Sequence, residues 1–112
     1  MKRICMTIFS VIFLGSGLLG LTTASGGEYD QGKSLYEKKC QICHGANGKG
    51  DGPAASSLST QPMNFRDPGF WQGDVDSTIA STIRNGLSPM PAFDLSDEEI
   101  KAIIGYMSHT FK

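Results

Sequence analysis

The pentapeptide Cys40-Gln41-Ile42-Cys43-His44 constrains this chain more than any other feature of it. Its two thiols lie three residues apart, and an imidazole follows the second one directly. Four uses of such a pair have to be weighed. A structural zinc site takes four Cys or His ligands, and the only other histidine, His109, lies at the far end of the chain. A thioredoxin-like redox pair sits near a strand–helix–strand pattern, and no strand signal precedes Cys40. A disulfide between residues three apart closes too short a loop to stabilise much. The fourth use is covalent haem attachment, of which Cys-x-x-Cys-His is the signature. The spacing has a chemical reason. Two thiols one helical turn apart can add to the two vinyl groups of one haem, and the adjacent imidazole then lies beneath the iron.

The N-terminal segment agrees, because haem is attached on the outer side of the membrane. Met1-Lys2-Arg3 is positive, and Ile4 to Leu21 is apolar apart from Thr7, Ser10 and Ser16. Thr22-Thr23-Ala24 then supplies the small residues a signal peptidase reads, so residues 1–24 have the layout of a cleaved secretory signal peptide. An uncleaved anchor is the competing reading, since 18 residues can just span a bilayer. Gly15, Gly17 and Gly20 weaken it as a membrane helix. Cys5 falls in this segment, with no lipid-attachment pattern around it, and reads as an apolar filler.

Cleavage after Ala24 leaves 88 of the 112 residues (25–112), enough for one domain. A domain that small buries only about 60% of its unfolded surface and often needs a cofactor or a staple. It keeps eight Lys and Arg against eleven Asp and Glu, a net charge of −3. Nucleic acid is excluded as a partner, because no basic stripe exists to meet it.

Periodicity makes the domain all-α. Tyr29 to Cys40 reads as a first helix, with Gly32, Leu35, Tyr36 and Cys40 at helical spacing and Lys38 and Lys39 in the last turn. Asp74 to Asn85 reads as a second, with Val75, Ile79, Ile83 and Leu87 every four residues and Gly86 as its stop. Ser96-Asp97-Glu98-Glu99 is a capping box. It opens a third helix whose apolar face is Ile100, Ile103, Ile104, Met107 and Phe111. Between the first two lie the 29 residues Gly45 to Gly73, rich in Gly, Pro, Ser and Asp. A structureless loop of that length argues against a compact domain, unless it packs on a porphyrin.

Iron held by His44 needs a sixth ligand or an open face. Met1 and Met6 belong to the leader, and Met107 lies on the apolar stripe of the last helix. Met63 follows Pro62 but has only 19 residues of chain after His44 with which to reach the opposite face of the haem. Met90 stands in Pro89-Met90-Pro91, where Pro89 fixes its own φ and Pro91 keeps Met90 out of the helical region. That stiffened loop makes Met90 the expected ligand, with Met63 the alternative. His109 reads as a solvent-facing residue.

From about Gly32 to Tyr106 the chain resembles a class I monohaem cytochrome c of the small bacterial type. The likeness is carried by Gly32-x-x-x-Tyr36, CQICHG at the attachment site, GKGDGPAA after it and NGLSPMPAF before the last helix. It implies the cytochrome c fold, with three main helices and a long loop around one covalently attached haem c. It also implies that Gly32 and Tyr36 pack against Ile103 and Tyr106, and that the Pro53 carbonyl accepts a hydrogen bond from the imidazole of His44, fixing its orientation, with a simple turn proline in Asp51-Gly52-Pro53 as the alternative. Trp71 and Arg66 are candidate partners of a haem propionate, with plain packing and a solvated charge as the alternatives. Lys33, Lys38, Lys39 and Lys49 form either a docking ring for an acidic redox partner or a solvated helix face.

With His44 and Met90 both on the iron there is no vacancy, and the thioether favours the ferrous state. The expected protein is a monomeric periplasmic electron carrier with no catalytic residue. Its partners are membrane or periplasmic redox proteins. Two alternatives stand beside it: a haem subunit docked in an oxidase or dehydrogenase complex, and a sensor or peroxidase with a labile sixth ligand.

Overall fold

In the computed structural model the described residues are Gly15, Gly17, Gly20 and residues 24–112. The expected signal segment, with Cys5 and Met6, lies outside them apart from those three glycines and Ala24. Among the described residues the chain is helical, with no strand and one isolated bridge between Leu87 and Met90. No helix among them is long and apolar enough to cross a membrane.

The last helix, α4 (Asp97–Phe111), starts at the capping box. The Ser96 hydroxyl accepts from the Glu99 N–H at 3.2 Å, and the Ser96 N–H donates to the Glu99 carboxylate at 2.9 Å. Two otherwise orphaned donors are thereby satisfied. Ile100, Ala102, Ile103, Tyr106, Met107 and Phe111 are buried along it.

The first helix, α1 (Ala24–Lys39), crosses α4 at Gly32. A Cβ there would run into the Ala102 carbonyl oxygen and come within 2.9 Å of the Tyr106 Cβ, so only glycine permits this approach. One turn on, Tyr36 is fully buried, its ring 5.4 Å from that of Tyr106 and 5.2 Å from that of Phe111. Its hydroxyl donates to the Gly45 carbonyl at 2.7 Å. The atoms nearest Gly32 belong to Ala102 and Tyr106. Ile103, expected in this contact, is buried in the same core cluster as Tyr36 and Tyr106 and also lines the interior cavity described below. The helix also begins five residues before Tyr29. Ser25, Gly26 and Gly27 carry no helix signal, since each glycine disfavours helix by about 1 kcal/mol. Glu28 reaches Lys101 of α4 at 3.7 Å within this added turn.

The backbone bends at Cys40 (φ −113°) into a single turn, α2 (Gln41–His44). The 29-residue loop that follows is not structureless. It holds two short 3-10 turns, Ala55–Ser57 and Pro68–Trp71, and its arms are tied together. The Phe65 N–H donates to the Gly48 carbonyl at 2.6 Å and the Gln61 side chain to Gly50 at 2.6 Å. Arg66 Nε donates to Asn47 at 2.9 Å, and its guanidinium lies 5.4 Å from the centroid of Phe111. Trp71 is buried and donates its indole N–H to the Phe65 carbonyl at 2.8 Å. The tryptophan is therefore a clasp of the loop, and its donor is not free for a propionate. Helix α3 (Val75–Asn85) buries Ile79 and Ile83 and stops at Gly86, whose N–H bonds Thr82. Leu87, expected on the same stripe, lies past that stop and is 70% exposed.

Candidate haem site

Helices α2, α3 and α4, the Pro62–Phe65 stretch and the Leu87–Phe93 segment enclose a cavity of about 650 Å³. That size is within the range of cofactor pockets, roughly 300–1,000 Å³. Ile79 and Ile83 of α3, Ile103 and Met107 of α4, Leu58 and Phe93 make its walls. Cys40, Cys43 and His44 line one part of it, and Met90 lines it too.

The attachment residues owe their placement to one turn of backbone. The Cys40 carbonyl accepts from Cys43 at 3.2 Å and from His44 at 2.9 Å, so both thiols and the imidazole hang from the two ends of a single turn. Neither cysteine is in a disulfide. Burial pushes the Cys40 thiol up to about 11, against the pull of the Lys39 charge, so the thiol stays protonated in the free chain. Burial also holds the His44 imidazole below the usual histidine range, partly opposed by a carbonyl partner. A neutral ring keeps a lone pair, which is the form that ligates a metal.

That carbonyl belongs to Met63. His44 Nδ1 lies 3.3 Å from the Met63 oxygen, and the ring stacks on Phe65 with centroids 4.5 Å apart. With Nδ1 donating to Met63, Nε2 is the ring atom left to bind iron. Pro53 does not fill the role the resemblance gave it: it is exposed and absent from the cavity wall. The reason is local. Gly52 donates to Cys43 at 3.0 Å and Ala54 to Ile42 at 2.9 Å, which pins residues 52–54 to the α2 backbone. Met63 and Phe65 were missed as supports of the histidine, since a carbonyl carries no side-chain signature and a loop aromatic reads as packing.

Met90 is carried by a tight turn. Leu87 and Met90 exchange both backbone hydrogen bonds, at 3.0 and 2.8 Å, around a cis Ser88–Pro89 peptide. The turn is held to α3 by the Phe93 N–H, which donates to Ile83 at 2.8 Å, and by Gly86. Gly86 has φ +72°, and a Cβ on it would lie 2.9 Å from the Ala92 nitrogen. Met63 also lines the cavity, but its backbone is committed to His44, on the proximal side.

Lys38 and Lys39 stand on the cavity rim. Lys33 pairs with Glu37 at 2.5 Å, and Lys49 is exposed but not on the rim. Ile42, Met63 and Leu87 are the large apolar side chains most open to solvent (58%, 55% and 70%), and all three border the cavity. His109 sits on α4 edge-on to Tyr29, away from the cavity. Among the described residues no three Cys, His, Asp or Glu converge to hold an ion. The thiols therefore lack the further donors a structural zinc needs.

Two thiols and an imidazole on one turn, opening into an apolar chamber with a thioether in its wall, suit a covalently held porphyrin, and the class they define is the c-type cytochrome. Comparison with known proteins then fixes the family: residues 27–107 match the family described as Cytochrome C oxidase, cbb3-type, subunit III, and the chain belongs to it. It is an electron-transfer haem domain. It is 30% identical over 105 residues to the thiosulfate dehydrogenase of Psychrobacter arcticus, covering 90% of this chain and 32% of that protein. It is 32% identical over 82 residues to the cbb3-type cytochrome c oxidase subunit CcoP of Azospirillum brasilense, covering 70% and 27%. A chain of the Kuenenia stuttgartiensis reducing HAO-like protein complex superposes with a TM-score of 0.67 at 32% identity, covering 77% of this chain and 44% of that one. The chain thus spans about a third of the length of these sequence relatives.

Proposed function

We propose that this domain carries one electron at a time on a single haem c, ligated by His44 and Met90, between redox partners outside the cytoplasmic membrane. The observation that supports it most is that Cys40, Cys43, His44 and Met90 line one apolar cavity. When bound, the haem supplies a reversible ferric–ferrous couple. The chain does the rest. Cys40 and Cys43 fix the porphyrin covalently, so it is neither lost nor reoriented between the two states. Met63 and Phe65 hold the His44 ring in one orientation and one tautomer, which sharpens its basicity toward iron. The Leu87–Met90 turn keeps the thioether in place, and a thioether favours the ferrous state. Ile79, Ile83, Ile103 and Met107 keep water out. A site of this kind binds no substrate, so the domain is not an enzyme.

Lys38 and Lys39 at the rim give the partner its chemistry: a surface with acidic groups near its own redox centre. Covalent attachment and the leader-like pattern of residues 1–24 support a periplasmic setting for the working protein. The relatives named above support a second reading, in which the domain is a haem subunit held in a larger oxidase or dehydrogenase assembly. The deciding experiment is haem quantification and redox titration of protein made in a host that attaches haem. One haem per chain, a one-electron Nernst curve and loss of attachment in Cys40→Ala/Cys43→Ala support the proposal. A second haem, or haem retained noncovalently by that variant, contradicts it. Size-exclusion chromatography after gentle extraction separates the free carrier from the docked subunit.

A further inference from the structure

Short hydrogen bonds frame the carbonyl to which His44 donates. In the first arm of the long loop the Gly50 N–H donates to the His44 carbonyl at 2.8 Å, which registers that arm on the backbone of the ligand itself. The second arm is tied to the first on either side of Met63. The Gln61 side-chain amide donates to the Gly50 carbonyl at 2.6 Å, and the Phe65 N–H donates to the Gly48 carbonyl at 2.6 Å. The Phe65 carbonyl in turn accepts the Trp71 indole N–H at 2.8 Å. Phe65 is thus held by both its backbone groups, while its ring stacks on His44 at 4.5 Å with only 20° between the planes.

The bond inside this frame is weaker than the frame. His44 Nδ1 and the Met63 oxygen are 3.3 Å apart, just past the usual N–H···O range of about 2.7–3.2 Å. A small movement of the Met63 carbonyl therefore strengthens that bond or abolishes it, and the frame decides where the carbonyl stands. A buried indole needs an acceptor, and many carbonyls would serve. Trp71 is 8% exposed and gives its single donor to the residue whose ring covers His44, two positions after Met63. It is absent from the cavity wall, so any influence it has on the cofactor passes through its neighbours. Phe70 packs on both Trp71 and Phe65 at 5.0 Å and does line the cavity.

We propose that Trp71 is a positioning residue, which sets the reduction potential of the site by holding the Met63 carbonyl against Nδ1 of His44. The inference rests on the reading of His44 as the iron ligand. Donation from Nδ1 makes the imidazole a more basic ligand. A more basic ligand favours ferric iron, so loosening this bond moves the couple toward the ferrous state and raises the potential. Gln61 holds the same carbonyl from the other side.

The test compares the holoprotein with its Trp71→Phe variant, which keeps a ring and loses the donor. Spectroelectrochemical titration reads the potential, and proton NMR of the ferrous form reads exchange of the His44 Nδ1 proton with solvent. In the variant the ferrous-to-ferric ratio at a fixed applied potential should rise several-fold, and the Nδ1 proton should exchange several-fold faster. The iron–thioether band of the ferric protein should stay. Ser96→Ala, which weakens only the α4 cap, should move neither reading. An unchanged potential or exchange rate in Trp71→Phe overturns the proposal. So does loss of the thioether band, which would trace the shift to Met90, or an equal shift in Ser96→Ala, which would mark general loosening. Should Trp71→Phe fail to fold, Gln61→Leu cuts the opposite tie: a change in both readings supports the frame, and either one unchanged overturns it. A parent chain without covalently bound haem refutes the attachment reading instead.

Discussion

Substituting Gly32 by alanine tests the crossing on which the fold is built. Alanine gains about 1 kcal/mol of helix propensity over glycine. Against that, the new methyl would lie 2.6 Å from the Ala102 carbonyl carbon, with the carbonyl oxygen nearer still, and 2.9 Å from the Tyr106 Cβ. Forcing an extra methyl into a packed contact costs typically about 1–3 kcal/mol. The top of that range applies here, because the obstacle is α4 backbone that cannot rotate aside. The net loss is about 2 kcal/mol. At about 4–8 °C per kcal/mol for a domain under 100 residues, the holoprotein should unfold about 8–16 °C lower. Thermal unfolding followed by far-ultraviolet circular dichroism reads this directly. A Tm unchanged or raised in Gly32→Ala refutes the argument, and with it the close approach of α1 to α4.

Three further predictions follow from individual contacts. Ser96→Ala removes one arm of the α4 capping box and should destabilise the domain by about 1 kcal/mol, measured by urea denaturation. Gly86→Ala forces a side chain into φ +72° beside the Ala92 nitrogen, a strain of about 1–2 kcal/mol. The strain falls on the Met90 turn, so the iron–thioether absorption band should fade at a lower temperature than in the parent while far-ultraviolet ellipticity persists. Lys38→Glu/Lys39→Glu should slow oxidation of the reduced protein by hexacyanoferrate(III) at low salt. The difference should vanish near 1 M salt, where screening acts over about 3 Å.

The helices that position the site are legible in the sequence wherever a local rule agrees with the packing. Ser96 and Glu99 announce α4, and Val75, Ile79 and Ile83 announce α3 together with Gly86 as its stop. The start of α1 was not legible, because Ser25, Gly26 and Gly27 become helical against their propensity, in a turn anchored by Glu28 to Lys101. The attachment turn was fully legible, since the side chains that perform the chemistry are also the motif. The support of His44 was not, because its acceptor is a main-chain oxygen whose position depends on how the loop folds. Pro53 was given that role by the family resemblance alone, but two backbone hydrogen bonds hold its turn on α2. Trp71 and Arg66 likewise bear donors suited to an anion, yet the loop takes the Trp71 indole N–H and the Arg66 Nε–H to close on itself.

The central claim is that His44 and Met90 share one iron. Its most direct test is the visible spectrum of the oxidised holoprotein beside that of Met90→Ala. The weak long-wavelength band of iron–methionine sulfur ligation should be present in the parent and absent from the variant, with the haem still attached. A parent without the band, or a variant that keeps it, would take Met90 off the iron and contradict the account.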